Sequence, residues 1–124
     1  MSLTSFGDAV RTIRRESAIT LARMAADLGT SAAFLSAMET GRSKVPMEWV
    51  ERIAHYFGSK GQEVSIERLK AKACDANDSV SLEGLPPQHR MLIAGFANSH
   101  LNQDQLTKLG QLLEDVYRGS SSDE

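Results

Sequence analysis

The sequence predicts an all-α protein: a five-helix bundle with a C-terminal helical extension. Three observations carry that expectation. Apolar residues recur at helical spacing along most of the chain. The segments between them open on Ser, Thr, Asn or Pro and close on Gly, the residues that helix starts and stops need. Alternating apolar and polar runs, the mark of a half-buried strand, are nearly absent.

Ser5 is the expected cap of the first helix, with Asp8 three residues on as in a capping box. Phe6, Val10 and Ile13 share its inner face, and it should run to about Ser17. Thr20 caps the second helix, with Ile19 and Met24 spaced as a hydrophobic staple. Met24, Ala25 and Leu28 face inward, and Gly29 ends the helix in the left-handed conformation that glycine accepts. Ser31 opens a third helix with Leu35 and Met38 inward, stopped at Gly41. Residues 42–45 form a loop. Pro46 fits the first turn of the fourth helix, where its missing N–H costs nothing. Val50, Ile53, Ala54 and Phe57 make that helix's stripe, and Gly58 closes it.

After a short linker, Ser65 caps a fifth helix to about Ala73, with Ile66, Leu69 and Ala73 inward. Residues 75–85 are polar and turn-rich, and within them 80–82 could be extended. Pro86 and Pro87 open a sixth helix to about Asn98, apolar at Met91, Leu92, Ala94 and Phe96. Asn102 with Gln105 is a capping box, and Leu101 with Leu106 a staple. The seventh helix carries Leu106, Leu109, Leu113, Val116 and Tyr117 and should end near Tyr117. The expected organisation is a first domain over 1–74, a linker over 75–85, a helical hairpin over 86–118 and a disordered tail over 119–124.

A chain of 124 residues, 41% hydrophobic, has room for one small core plus an extension. The net charge of −2 is unevenly spread. Residues 1–58 hold seven Lys/Arg against six Asp/Glu, and residues 59–124 hold seven against ten. Any nucleic-acid contact must therefore come from local placement of charge rather than bulk charge. The single cysteine, Cys74, excludes an intrachain disulfide and suits a reducing compartment. No signal-peptide pattern occurs, and no apolar run approaches the roughly 20 residues that span a membrane. The expectation is a soluble, cytoplasmic protein that does not meet a membrane.

His55, His89, His100 and Cys74 lack metal-ligand spacing, and no glycine-rich phosphate cradle occurs. Ser36, Asp27 and the histidines form no recognisable nucleophile–base set. Neither a metal, nor another cofactor, nor a catalytic residue is expected, and the chain does not read as an enzyme.

Two short helices joined across a tight glycine turn are the geometry of a helix-turn-helix. Their close crossing needs a small residue, which Ala25 supplies, and the turn needs Gly29. The second helix of such a pair must present short side chains outward so that its backbone can enter the major groove. Ala32, Ala33, Ser36 and Ala37 meet that requirement.

Phe6-Gly7, Val10-Arg11, Ile13-Arg14, Thr20-Leu21, Met24-Ala25, Leu28-Gly29, Leu35-Ser36, Met38-Glu39, Gly41-Arg42, Pro46 and Ile53-Ala54 then follow in order. This pattern resembles the XRE family of lambda-type phage repressors and Cro proteins over about residues 5–58. The resemblance implies a lambda-repressor-like five-helix bundle that binds double-stranded operator DNA, usually as a dimer on an inverted repeat. It implies that residues 31–40 lie in the major groove with Ala32, Ala33, Ser36 and Ala37 toward base edges. It implies phosphate contacts from Thr20, Leu21, Arg23, Thr40, Arg42, Ser43 and Lys44. Arg14 and Glu39 resemble the family's partly buried pair between helices one and three, which makes Glu39 structural. Family phage repressors often carry glutamines where this chain has Ala32 and Ala33. Alanine can meet a thymine methyl but cannot hydrogen-bond a base. Specificity then falls to Ser36, to Arg42 or Lys44, or to DNA shape.

Phe34 fits either a contact with DNA or a half-buried place between helices three and four. Trp49 reads as packed within the domain in preference to a dimer contact. Arg11 and Arg15 read as surface charges, and Arg23 as either solvated or on a phosphate. The stripes of the last two helices are too wide for solvent, which favours a homodimer interface over completion of a monomeric core. Doubling a half-site also supplies the affinity one copy lacks. The function expected is a transcriptional repressor that occupies an operator as a homodimer. The alternatives are an antitoxin-like regulator whose C-terminal helices grip a partner protein, and an interaction module that kept the fold without DNA.

Overall fold

A computed structural model describes residues 2–122, with side chains as far as residue 119. Among the described residues the chain forms seven α-helices and no strand: α1 Ser5–Glu16, α2 Leu21–Leu28, α3 Ala32–Thr40, α4 Met47–Ser59, α5 Ile66–Asn77, α6 Pro87–Ala97 and α7 Gln103–Ser122. They divide into two compact units, the first ending at Val80 and the second beginning at Ser81.

In the first unit α1 packs on α5 and α3, α2 packs on α3, and α4 packs on α5. Phe6, Met24, Leu35, Val50 and Phe57 are at most 1% exposed, so every one of the first four helices feeds the same core. α5 adds Leu69 and Ala73 to it. The caps follow local chemistry. The side chains of Thr20, Ser31 and Ser65 accept the N–H of Arg23, Phe34 and Arg68, satisfying donors that a helix start otherwise leaves open.

Four boundaries differ from expectation. The cap of α1 is Thr4 rather than Ser5. The Thr4 hydroxyl accepts the Gly7 N–H at 3.0 Å, while the Thr4 N–H donates to the Glu39 carbonyl at 3.0 Å. Ser5 instead donates to Asp75 Oδ2 at 3.0 Å, tying α1 to α5. α4 runs through Gly58 to Ser59, and the left-handed residue beyond it is Gly61, at φ +86°. α5 continues past Ala73 to Asn77, because Ala76 still packs against the core and the Asn77 carboxamide bonds the backbone of buried Val45. The first domain therefore reaches about residue 80 rather than 74. α7 continues past Tyr117 to Ser122, which puts 119–122 in a helix where a disordered tail was expected. Residues 123–124 of that tail lie outside the described residues.

In the second unit the Gln105 N–H donates to Asn102 Oδ1 and the Asn102 N–H donates to Gln105 Oε1, both at 2.9 Å, the reciprocal cap expected for α7. No described residue of this unit is buried. Met91, Leu92 and Leu112 are 72%, 52% and 58% exposed, and Phe96, Leu106, Leu113 and Val116 are also exposed. No helix is long and apolar enough among the described residues to cross a membrane.

Candidate nucleic-acid interface

α2 and α3 are eight and nine residues long and joined by three residues. Gly29 closes α2 at φ +73°, and Gly41 closes α3 at φ +80°. Ser31 restarts the helix at once, so the pair's own caps close one helix and open the next within three residues. Leu35 and Met38 pin α3 to the core from one side, and Glu39 is buried beside them.

That pinning decides which residues of α3 face outward. At 100° per residue the side opposite Leu35 and Met38 carries Ala33, Ser36, Ala37 and Thr40. Ala33 is exposed, and Ser36, Ala37 and Thr40 are half-buried. Ala32 lies toward the flank and packs against the core, so it shares little of this face. The face has no side chain longer than threonine, which lets another molecule approach the helix backbone. Phe34 points elsewhere: its ring meets Trp49 at 5.0 Å between centroids, and the Arg52 guanidinium covers the Trp49 ring at 4.0 Å. Arg52 also donates to the Leu28 carbonyl at 2.8 Å, fastening α4 to the end of α2.

The residues expected at phosphates border this face in sequence on both sides. Thr20 is exposed at the start of α2, and Leu21 is half-buried against the core. The Arg23 side chain is 65% exposed, with Nε donating to Asp27 Oδ2 at 3.2 Å. The Thr40 hydroxyl donates back to the Ser36 carbonyl at 2.9 Å. Arg42, Ser43 and Lys44 are exposed on the following loop, where the Ser43 N–H donates to the Ala37 carbonyl at 3.2 Å. The Lys44 ammonium donates to the Asn77 carbonyl at 2.7 Å, at the C-terminal end of α5 where a cation is favoured. Asn77 Oδ1 accepts the Val45 N–H at 2.7 Å, and its Nδ2 donates to the Val45 carbonyl at 2.9 Å.

Residues 5–65 match the family model described as a helix-turn-helix domain. That stretch, just under half of the chain, is similar to the helix-turn-helix family. No curated protein and no solved structure matches the chain. A helix-turn-helix domain points to a DNA-binding regulator.

Within the helix-turn-helix domain Arg14 and Glu39 meet as the resemblance implied, at 2.9 Å, with side chains 11% and 6% exposed. Burial pushes the Glu39 carboxyl above its usual range, and the facing Arg14 only partly opposes that shift. Asp27 goes the other way. The Tyr56 hydroxyl, donating at 2.8 Å, holds the Asp27 carboxyl below its usual value against the opposing effect of burial, and Arg23 and Lys60 add smaller contributions in the same direction as Tyr56. Tyr56 in turn is pushed up to about 12 by burial and by that same bond.

Sequence reasoning missed Gly7, Asp27–Tyr56 and Asn77. A Cβ on Gly7 would sit on the Glu39 carbonyl oxygen, so the closest approach of α1 to α3 is at Gly7. The Phe6-Gly7 pair was the available signal. Asn77 carried a weaker one, since Asn and Asp side by side suit a helix end in left-handed conformation, and Asp78 has φ +59°. Among the described residues no three His, Cys, Asp or Glu side chains gather as metal ligands.

Proposed function

We propose that this chain is a sequence-specific transcriptional regulator of the XRE type that binds an inverted-repeat operator as a homodimer and represses by occupying it. The observation that carries the reading is the outward face of α3. Ala33, Ser36, Ala37 and Thr40 form a low surface, preceded by the exposed start of α2 at Thr20 and followed by the exposed loop Arg42–Lys44. A helix bare of long side chains fits the major groove, where its short groups meet base edges and thymine methyls. Arg42, Lys44, Arg23 and the N–H groups that begin α2 then supply phosphate contacts, which set register without reading sequence. With Ala33 unable to hydrogen-bond a base, Ser36 is the direct reader on this face, and DNA shape supplies the rest of the specificity. The activity is binding, not catalysis, it needs no cofactor, and it takes place in the cytoplasm.

The exposed apolar residues of α6 and α7 support dimerisation. Two helices, α6 and α7, with no buried residue among the described ones are not stable alone and fold against a partner. A second copy is the partner that operator binding requires. The same surface also suits the antitoxin-like alternative, in which a different protein occupies it.

In-vitro selection from a random duplex library tests the proposal. The expected product is an inverted repeat with half-site centres about 34–36 Å apart. Enrichment of single half-sites would remove the dimer. No enrichment at low salt would remove DNA reading and leave the second unit as the functional surface.

A further inference from the structure

We propose that Asn77 is a positioning residue for DNA binding, acting through the loop that follows α3. The proposal rests on the DNA-binding function proposed above. Loop residues 42–44 are pinned at both ends. At the near end Gly41 turns the chain in left-handed conformation, and the Ser43 N–H is bonded to the Ala37 carbonyl. At the far end the Val45 side chain is 1% exposed in the core, and its N–H and carbonyl are both taken by the Asn77 carboxamide, 32 residues later in sequence.

A carboxamide is the side chain suited to this task. It offers one acceptor and one donor side by side, so it satisfies both backbone groups of a single residue; a carboxylate cannot donate and an alanine does neither. The Asn77 main-chain carbonyl also holds the Lys44 ammonium. One residue thus sets the backbone of Val45 and the side chain of Lys44. A loop fixed in advance spends little conformational freedom when it meets a phosphate backbone. Asn77 touches neither face of the α2–α3 pair, so its effect on DNA passes through the loop.

The test is a thermodynamic cycle on the full chain. Binding to the selected operator is measured for the native protein, for Asn77→Ala, for a loop variant carrying Arg42→Ala, Ser43→Ala and Lys44→Ala, and for their combination. Each is measured at a temperature where circular dichroism shows it fully folded. Leu69→Ala serves as the stability control, because it loosens α5 in the core without touching the loop. The expected results are a loss of about tenfold in affinity for Asn77→Ala, no further loss when it is added to the loop variant, and unchanged affinity for Leu69→Ala. Native affinity in Asn77→Ala, or the same loss with and without the loop side chains, overturns the inference while leaving DNA binding in place. An equal loss in Leu69→Ala reduces Asn77 to a stability residue and also overturns it. No binding by the native chain overturns the functional reading, and this inference with it.

Discussion

Glu39 lies on the helix proposed to read DNA, yet its chemistry is inward. Its side chain is 6% exposed and bonded to Arg14, while its carbonyl accepts from both the N–H and the hydroxyl of Thr4. Burial raises its pKa in spite of Arg14, so the pair itself adds little net stability. Removing one member is a different matter, because it leaves Arg14 as a nearly buried cation without its counter-ion. Glu39→Ala is expected to cost about 3–5 kcal/mol, a large part of a small domain's total. Thermal melting checks this, and a normal melting temperature with altered sequence preference would make Glu39 a base reader instead. Tyr56 and Asp27 allow a pH test. The Tyr56 pKa is raised from 10.0 to about 12, so its contribution is complete below pH 10 and is lost as the pH rises through about 12. The Asp27 pKa is lowered, so its contribution is present above the ordinary carboxylate value and is lost as the pH falls through the lowered one. Tyr56→Phe is expected to lower the melting temperature at pH 7 and to flatten its decline on both the acid side and between pH 10 and about 12. A parallel curve with unchanged slopes would show that the bond to Asp27 contributes no linkage.

Among the elements, α5 takes on tertiary roles that its sequence did not announce. Ending it at Ala73 leaves out the turn that carries Asp75 and Asn77. In the folded chain it packs on both α1 and α4, buries Leu69 and Ala73, receives the Ser5 hydroxyl through Asp75 and holds Val45 through Asn77. Truncation after Gly58 therefore removes part of the core rather than an appendage, although the family resemblance itself ends there. Burying Leu69 alone is worth roughly 1.5–3 kcal/mol. A fragment ending at Gly58 is expected to melt without cooperativity, whereas one ending at Val80 keeps a sharp transition and native-like helicity. Circular dichroism melts of the two fragments decide it. Equal cooperativity would mean that α1–α4 are self-sufficient.

At the scale of the whole molecule the two units obey different physics. The first has a core that accounts for its fold. The second leaves Met91, Leu92, Phe96, Leu112 and Val116 in solvent, which is stable only when another surface covers them. In the proposed dimer that surface is a second copy. Leu112→Lys with Val116→Lys is expected to convert the dimer to a monomer at micromolar concentration and to weaken operator binding by well over tenfold, through loss of the paired half-site. The first unit's melting transition should not move. Sedimentation velocity and operator titration read the two effects, and an unaltered sedimentation coefficient with native affinity would place the interface elsewhere.

Local patterning in the chain already held much of this protein. Helices two and three and the reciprocal cap at Asn102 and Gln105 were legible, because caps, staples and left-handed glycines act over three or four residues and need no distant partner. Short side chains on α3 were legible for the same reason, since a period of 3.6 separates Ala33, Ser36 and Ala37 from Leu35 and Met38. What depended on folding were contacts across dozens of positions. Thr4 rather than Ser5 caps α1 because its own N–H is needed at the Glu39 carbonyl. Gly7 is required because α3 leaves no room for a Cβ. Ala32 loses its outward place to the core, and Asn77 leaves the supposed linker to grip Val45. Composition and periodicity carry no record of such pairings. A lone polar residue near a helix end looks the same whether it meets water or a backbone 32 residues away, and only the packed chain distinguishes the two.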